Sequence, residues 1–347
     1  MKSILLAVAF TLISLFTYAQ RDERIEPLVK EGIALHDKGD YSGAIKKYDE
    51  ALAIDKDDYD ANYEKSLSCL YLKHYDECIA ISKFLVEKYP NSEFMQGVYV
   101  NYGSALDDKG DSETALKVFD EGIQKFPANH LLYFNRGLTY GKLKNENEAL
   151  QSFYAAMKAK PTHAGSLYYT AFYLEKENKV AALLSGLTFL AVEPEGKRAE
   201  AIYKYVNELL NSFAKKNGES GTIISVNIDK KNNENDFHMT EMMLGLTIAS
   251  GLVDSVKAKS AIEKLSLDVQ MMANSFATGL KDGKGLFWKI YAPFWVEMNR
   301  KKIIPTFAHI AAITSGDEEN IKWINENQDK LTEYSDWLNA YQWQTKK

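Results

Sequence analysis

Cysteine and long apolar runs are both scarce in this chain of 347 residues, and each scarcity excludes a class of protein. The two cysteines are too few for a small domain held together by disulfides, and a chain of this length buries a sizeable core without them. The apolar run Ile4–Phe16 spans 13 residues. A bilayer requires about 20, so we expect no membrane span in the mature chain.

The chain also has fewer positively than negatively charged side chains. The chain has 42 Lys and Arg against 48 Asp and Glu, for a formal net charge of −6. A protein that binds nucleic acid without sequence preference needs a basic surface to displace counterions from the phosphates. No run of Lys and Arg supplies one here. We therefore expect no nucleic-acid partner.

Signatures of catalysis are missing as well. The sequence contains no Gly-rich phosphate loop, no G-x-S-x-G and no H-E-x-x-H. Its nearest approach to a metal site is His238 with Glu241, three residues apart at a predicted helix start, with His309 distant in sequence. We predict that the protein is not an enzyme and has no cofactor and no metal site.

The first 19 residues have the three parts of a secretory signal peptide. Lys2 supplies the positive end, Ile4–Phe16 the apolar core, and Ala19 the small residue before cleavage. No cysteine follows the apolar core, which argues against a lipid anchor. We predict an exported protein, periplasmic or secreted, that has lost residues 1–19. An uncleaved membrane anchor is the alternative interpretation.

A repeated pattern of small residues occupies the first half of the chain. In the first copy, Gly32, Ala44 and Ala51 are separated by 12 and 7 residues. The same spacing recurs, with one large exception at Leu85, at Ser66, Cys78 and Leu85, at Gly103, Ala115 and Gly122, and at Gly137, Ala149 and Ala156. Successive copies begin 34, 37 and 34 residues apart, which is the length of one helical hairpin.

Small residues at these spacings predict pairs of closely packed antiparallel helices. We expect Gly32 to face Ala44, and Gly137 to face Ala149, because helices approach closely only where both side chains are small. Proline closes three of the units, since it cannot continue a helix. Each pair leaves an apolar face that the next pair covers.

This pattern resembles the tetratricopeptide repeat, a helix-turn-helix unit of about 34 residues. The matching segments are Ile25–Asp58, Tyr59–Ser92, Gln96–Asn129 and His130–His163, followed by a degenerate fifth at 164–192. The resemblance implies an all-α array of helical hairpins over residues 25–192. It also implies the function of a scaffold or adaptor that holds a protein or peptide partner.

In this family, the first helix of each unit lines a groove for the partner. The matching positions are mostly apolar or aromatic, and they give eight candidate binding residues: Tyr63, Leu67, Tyr71, Val100, Phe134, Leu138, Tyr168 and Phe172. The clamp that some members use for a C-terminal carboxylate is missing, since Val29, Ile33 and Glu64 hold the corresponding places. Two interpretations of the groove remain open, an external partner and filling by the chain's own C-terminal half.

Residues 197–347 are predicted to form an irregular helical domain that contains all five tryptophans. It begins after the Pro/Gly-punctuated stretch Glu193–Gly196. Helices are predicted over Arg198–Lys216, Met239–Val256, Ser260–Leu280, Gly285–Lys301, Pro305–Thr314 and Glu318–Tyr341. Thr222–Ile228 is predicted to be a strand without an evident partner. As an alternative function, this domain is a ligand-binding or catalytic module that the repeats position.

The two cysteines, Cys69 and Cys78, fall on the two helices of the second predicted unit. An oxidising compartment permits a disulfide between facing helices. Two reduced thiols that pack as small apolar side chains are the other interpretation.

Overall fold

A computed structural model describes residues 21–92, 94–217, 221–224, 235–251 and 260–344. The predicted signal peptide lies outside these residues. The described chain is predominantly helical, which confirms the predicted all-α class. The described residues divide into two compact units, those up to Ala105 and those from Leu106 onward, which we call the N-terminal and C-terminal units.

Over the described residues between 25 and 192, ten helices follow one another in five pairs. The pairs are α1 (Ile25–Asp37) and α2 (Tyr41–Ile54), α3 (Tyr59–Tyr71) and α4 (Tyr75–Lys88), α5 (Met95–Lys109) and α6 (Ser112–Lys125), α7 (His130–Lys142) and α8 (Glu146–Ala159), and α9 (Ala164–Tyr173) and α10 (Lys179–Val192). The helices of each pair fall within one predicted unit, apart from α5, which begins one residue early. We call α1, α3, α5, α7 and α9 the first helices.

The turns inside the first four pairs share one backbone conformation. Gly39 and Gly110 have φ of 82° and 104°, and Lys73 and Lys144 hold the equivalent places with φ of 62° and 61°. This left-handed region is natural for glycine and strained for lysine. In the two glycine turns the next residue, Asp40 or Asp111, caps the second helix with its carboxylate.

Aromatic rings of the second helices pack closely against two glycines of the first helices. A Cβ placed on Gly32 would lie 2.3 Å from the ring of Tyr48, and one on Gly137 would lie 2.6 Å from the ring of Phe153. These rings lie one helical turn beyond the expected partners, Ala44 and Ala149. Glycine therefore makes room for a large side chain of the second helix, and the expected contacts with Ala44 and Ala149 stay predictions.

The C-terminal unit continues beyond the repeats with seven described helices and one hairpin. They are α11 (Lys197–Asn211), β1 (Ala214–Asn217), β2 (Gly221–Ile224), α12 (His238–Gly251), α13 (Ala261–Gly279), α14 (Ala292–Arg300), α15 (Ile304–Ala311), α16 (Glu318–Glu326) and α17 (Gln328–Ala340). A π-helical turn, Phe287–Tyr291, leads into α14, and a 3₁₀ turn, Ile313–Ser315, follows α15. Pro293 lies in the first turn of α14, which confirms the predicted break at this proline.

Two predictions for this region were wrong. The helix predicted over Arg198–Lys216 ends at Asn211, and Ala214–Asn217 instead forms a strand that pairs antiparallel with Gly221–Ile224. The partner strand thus precedes the predicted one in sequence. It was not predicted because its Lys and Asn residues are not typical of strands. The helix predicted over Glu318–Tyr341 is interrupted at Asn327, whose backbone leaves helical geometry.

The hydrophobic core of the C-terminal unit runs through the predicted boundary at Glu193–Gly196. Every residue of α10 from Val180 to Ala191 is buried, and a single core joins α8 and α10 to helices as distant in sequence as α17. The last repeats and the Trp-rich helices therefore share one core. Within the described residues, no helix has both the length and the apolar character that a membrane span needs.

Candidate partner-binding surface

Tyr63, Leu67 and Tyr71 lie on α3, and Val100 lies on α5, so the structure places these four predicted residues on first helices of the N-terminal unit. Tyr63 is half-buried and lies over Gly97, where a Cβ would come within 2.5 Å of its hydroxyl. Burial raises the pKa of Tyr63. This ring therefore packs between α3 and α5, with only part of it facing outward.

Tyr71 is the most open of the predicted residues, with 56% of its area exposed. Its ring stacks on Tyr41 at 4.9 Å and meets the edge of His36 at 5.1 Å. His36 is fixed by a 2.7 Å hydrogen bond between its Nδ1 and Ser68 Oγ. We call His36, Tyr41 and Tyr71 the Tyr71 cluster. It is an aromatic platform whose rings are held by one another and open to solvent.

The charge of this N-terminal surface is negative where the family's clamp would be positive. Glu64 is partly buried on α3, and burial together with the carboxylates of Asp60 and Asp37 raises its pKa. A carboxylate ligand would meet repulsion here. The absence of a carboxylate clamp stays a prediction from the sequence.

Phe134 and Leu138 lie on α7 in the C-terminal unit, and both are half-buried. The ring of Phe134 contacts His163 edge-on at 4.7 Å and covers Gly165, where a Cβ would come within 2.8 Å of it. His163 caps α9 through Nδ1, which accepts from Ser166 N. Burial is the main reason that the pKa of His163 falls to about 4, with His130 adding to the effect. The neutral ring is thus part of the packing behind Phe134.

Tyr168 and Phe172 lie on α9 and are held by the helices that follow. Phe172 keeps 38% of its area exposed while its ring lies 4.7 Å from Tyr205 of α11. Tyr168 is half-buried, with Phe189 at 5.8 Å and the guanidinium of Arg198 at 6.0 Å from its ring. Like the Tyr71 cluster, this pair presents ordered aromatic rings to solvent.

The Trp-rich helices pack on the second helices of the repeats. Phe287 contacts Tyr154 of α8 at 5.8 Å, and Trp295 Nε1 donates to Thr188 Oγ1 of α10 at 3.3 Å. Tyr291 Oη donates to the carbonyl of Pro161, just after α8. These contacts lie on α8 and α10, whereas Phe172 on α9 stays exposed. The Trp-rich helices therefore contact the second helices α8 and α10, whereas α11 contacts Tyr168 and Phe172 on α9.

Sequence reasoning missed a second exposed apolar surface, on α12. Met239, Met242 and Leu246 are 56%, 39% and 53% exposed, and Ile223 of β2 is 53% exposed. The spacing of three and four residues along the helix would have indicated one face. The signal was available, but we predicted only that this segment is helical.

The residues of the weak metal candidate are engaged elsewhere. His238 Nδ1 lies 2.5 Å from Asp236 Oδ1, and the ring of His309 stacks on Trp323 at 3.6 Å. Among the described residues, the one group of His, Cys, Asp or Glu with mutually close ligand atoms lies elsewhere, in the second repeat. The structure therefore does not bring together His238, Glu241 and His309.

Comparison with known proteins gives matches within the repeats. Residues 32–65 match a family profile described as TPR repeat, and residues 131–163 match one described as Tetratricopeptide repeat. No family profile matches the C-terminal half. These matches agree with the helix pairs of the structure and with the resemblance inferred from the spacing of small residues.

Curated relatives are distant. The photosystem I assembly protein Ycf3 from one strain of Prochlorococcus marinus is 25% identical over 151 residues, covering 40% of this chain and 87% of that protein. The protein of the same name from a Synechococcus species is 23% identical over 121 residues, covering 33% of this chain and 70% of that protein.

Similar solved structures cover about half of the chain. A thermophilic TPR protein of Thermus thermophilus has a TM-score of 0.45 at 21% identity and covers 54% of this chain and 98% of its own. The pilF protein of Pseudomonas aeruginosa has a TM-score of 0.49 at 20% identity and covers 56% and 86%.

Proposed function

We propose that this chain, a tetratricopeptide-repeat protein, is an exported scaffold that holds a protein or peptide partner on the outward faces of its first helices. The binding residues are those predicted from the sequence: Tyr63, Leu67, Tyr71, Val100, Phe134, Leu138, Tyr168 and Phe172. Tyr71 and Phe172 are the central ones, one in each compact unit. The others support them or add apolar area beside them.

One observation carries this proposal: ordered aromatic rings stay in water on the first helices. Burial of apolar surface stabilises a protein by about 25 cal/mol for each Å². An aromatic ring that stays in water does not contribute this free energy. Large, rigid aromatic side chains are also the commonest anchors of protein interfaces, because little conformational entropy is lost when a partner covers them. Tyr71 and Phe172 have both properties, since each is packed against a neighbouring ring and open on its other side.

Export is supported by the N-terminal sequence alone. Its test is to express the full chain with a C-terminal tag in a Gram-negative host and determine the N-terminus of the product. Export predicts a periplasmic or secreted protein that begins at Gln20. A chain that keeps its first residues and stays in the cytoplasm would contradict this part of the proposal.

The binding surface is tested by capturing partners on the purified protein and on two variants, Tyr71→Ser and Phe172→Ser. Phe94→Ser is the matched control, since Phe94 is 67% exposed but lies outside the first helices. Loss of an aromatic anchor costs about 2 kcal/mol or more, a factor of about 30 in affinity. We expect a partner of the wild-type chain to be lost with at least one first-helix variant and kept by the control. Undiminished capture by both variants would remove the surface from consideration.

A second candidate function, binding of a small molecule by the C-terminal unit, is favoured by a cavity of about 880 Å³ between α8 and the π-helical turn. Tyr154 and Trp288 contribute apolar walls, and Lys158 and Lys289 add two positive charges. This combination suits an apolar anion. Binding of 8-anilinonaphthalene-1-sulfonate tests the idea: Lys158→Glu should weaken it, whereas Lys322→Glu, outside the lining, should not. Equal binding by both variants would remove this candidate.

A further inference from the structure

The second repeat carries a cluster of side chains that the partner-binding function does not use. Cys69 lies in the last turn of α3, His74 immediately precedes α4, and Glu77 lies in the first turn of α4. The cysteine Sγ, an imidazole nitrogen and a carboxylate oxygen of these residues all lie within 4.8 Å of one another. Cys69 is fully buried, while the other two are exposed.

The turn between the helices produces this arrangement. Lys73 takes up the left-handed conformation, and His74 N then donates to the carbonyl of Cys69 at 2.8 Å. The chain thereby folds back, and Cys69, His74 and Glu77 come together at the same end of the hairpin.

His74 stands where two other repeats have a capping aspartate. Asp40 and Asp111 each accept a hydrogen bond from a backbone N–H of the following helix, whereas the imidazole of His74 makes no such bond to α4. A histidine that makes no capping bond stabilises the start of α4 less than a capping aspartate would. The substitution leaves a ring nitrogen beside Cys69 and Glu77.

From this geometry we propose that Cys69, His74 and Glu77 form a binding site for Zn²⁺, with water in the fourth position. A thiolate, an imidazole and a carboxylate are the ligand types that zinc takes in proteins, and their spread suits bonds of about 2.0 to 2.3 Å to a single ion. The mixture of sulfur, nitrogen and oxygen donors selects zinc over calcium and magnesium, which prefer oxygen. This site adds to the proposed function and does not depend on it.

Lys65 orients the carboxylate of the site. Its ammonium lies 2.7 Å from Glu77 Oε1 and 2.8 Å from Asp49 Oδ1. Because a carboxylate has two oxygens, the ion pair leaves one of them for the metal, and such outer partners commonly fix metal ligands. With zinc and the thiolate present, Zn²⁺ and Lys65 balance the negative charges of Cys69, Glu77 and Asp49.

When zinc binds, the Cys69 thiol loses its proton. A coordinating thiol is deprotonated by the metal, and its proton passes to solvent. The bound ion then ties the end of α3 to the start of α4 in the most divergent of the four matched repeats.

Titration with Co²⁺ tests the site, because a thiolate bound to cobalt gives a ligand-to-metal charge-transfer band that oxygen and nitrogen ligands do not. The full chain is used after reduction and removal of metal, and circular dichroism checks that each variant is folded. Cys78→Ser is the matched control for Cys69→Ser, since Cys78 is also a buried free thiol in the same repeat.

We expect one equivalent of Co²⁺, displaced by Zn²⁺, in the wild-type chain and in Cys78→Ser. Cys69→Ser should lose the charge-transfer band and bind at least about tenfold more weakly, and His74→Ala and Glu77→Gln should each weaken binding about tenfold or more. Zinc should raise the melting temperature of the wild-type chain and of Cys78→Ser. A band that survives in folded Cys69→Ser, absence of stoichiometric binding, or a Cys69–Cys78 disulfide in the exported protein would overturn the proposal.

Discussion

The N-terminal and C-terminal units bury their apolar side chains in different ways. In the N-terminal unit, one cluster joins α1, α2 and the start of α3, and a small one contains Cys69, Cys78 and Ala105. In the C-terminal unit, one large core contains residues from Leu150 to Tyr334 and surrounds α10 on all sides. Helical hairpins of the N-terminal unit are thus stabilised by contacts with neighbouring hairpins. The last hairpin, in the C-terminal unit, is stabilised by a large core.

This difference shows that the residues that stabilise the fold are distinct from those proposed to bind a partner. In a repeat array each hairpin contacts its neighbours, so its outward faces are not needed for the core. In the C-terminal unit the Trp-rich helices cover α8 and α10 and leave Phe172 on α9 exposed. The additional helices therefore strengthen this end of the array, and α11 packs against Tyr168 and Phe172 but leaves both partly exposed.

The largest effect that tests the comparison comes from creating matched cavities. Leu187 on α10 and Leu85 on α4 are both fully buried. We expect Leu187→Ala to cost about 4 kcal/mol, and Leu85→Ala to cost about 2 to 3 kcal/mol because a thin repeat relaxes more easily around a cavity. Denaturant unfolding measures both values. Equal costs, or a larger cost for Leu85→Ala, would break the contrast between the two cores.

A smaller effect is expected from adding one methyl group to α7. Gly137→Ala places a Cβ against the ring of Phe153, which is fully buried, whereas Gly141→Ala meets only the hydroxyl end of Tyr173. Overpacking costs about 1 to 3 kcal/mol, and alanine returns about 1 kcal/mol of helix propensity. Gly137→Ala should therefore lower the free energy of unfolding by up to about 2 kcal/mol, and Gly141→Ala should change it little. Indistinguishable unfolding curves for the two would contradict the packing described for the first helices.

The histidines of the two units should differ in their pH dependence. Because the folded-state pKa of His163 is about 4, below the ordinary 6.5, its contribution to stability is complete above pH 6.5 and is lost as the pH falls towards 4. With allowance for screening of this partly exposed ring, the loss is about 1 to 2 kcal/mol. His163→Asn keeps a capping acceptor and should flatten the profile. His36 has a pKa that is lowered less, so His36→Asn is the comparison variant. If His36→Asn flattened the pH dependence of stability more than His163→Asn does, the account would be contradicted.

The smallest expected effect is a gain in stability at the turns. Lys73 in the N-terminal unit and Lys144 in the C-terminal unit hold the same left-handed conformation. Glycine removes about 1 to 2 kcal/mol of strain, against an entropic cost of about 0.5 to 1 kcal/mol. Lys144→Gly and Lys73→Gly should each raise the free energy of unfolding by about 0.5 kcal/mol, whereas Lys38→Gly, at φ −85°, should lower it. A loss in all three would show that the strain is not there.

The comparison also explains which features the sequence could predict. Helix pairs follow from the 34-residue spacing because each repeat is stabilised by local contacts, so Gly32 and Gly137 were found at helix crossings. The close packing of Tyr48 on Gly32 was not predicted, since spacing does not distinguish Ala44 from Tyr48 one turn later. Strand β1 was missed because its Lys and Asn residues become a strand only through pairing with β2. The exposure of Phe172 depends on which helices of its own unit pack against α9, and that is not a local property.

The most direct test of the central claim is the affinity of an identified partner for the wild-type chain and for Tyr71→Ser, Phe172→Ser and the double variant, measured by calorimetry with Phe94→Ser as the control. We predict that at least one single variant binds about tenfold or more weakly, that the double variant is at least as weak, and that the control is unchanged. The unit in which the loss occurs identifies the surface that binds. Affinities within twofold of the wild-type value for both single variants and the double variant would contradict the account.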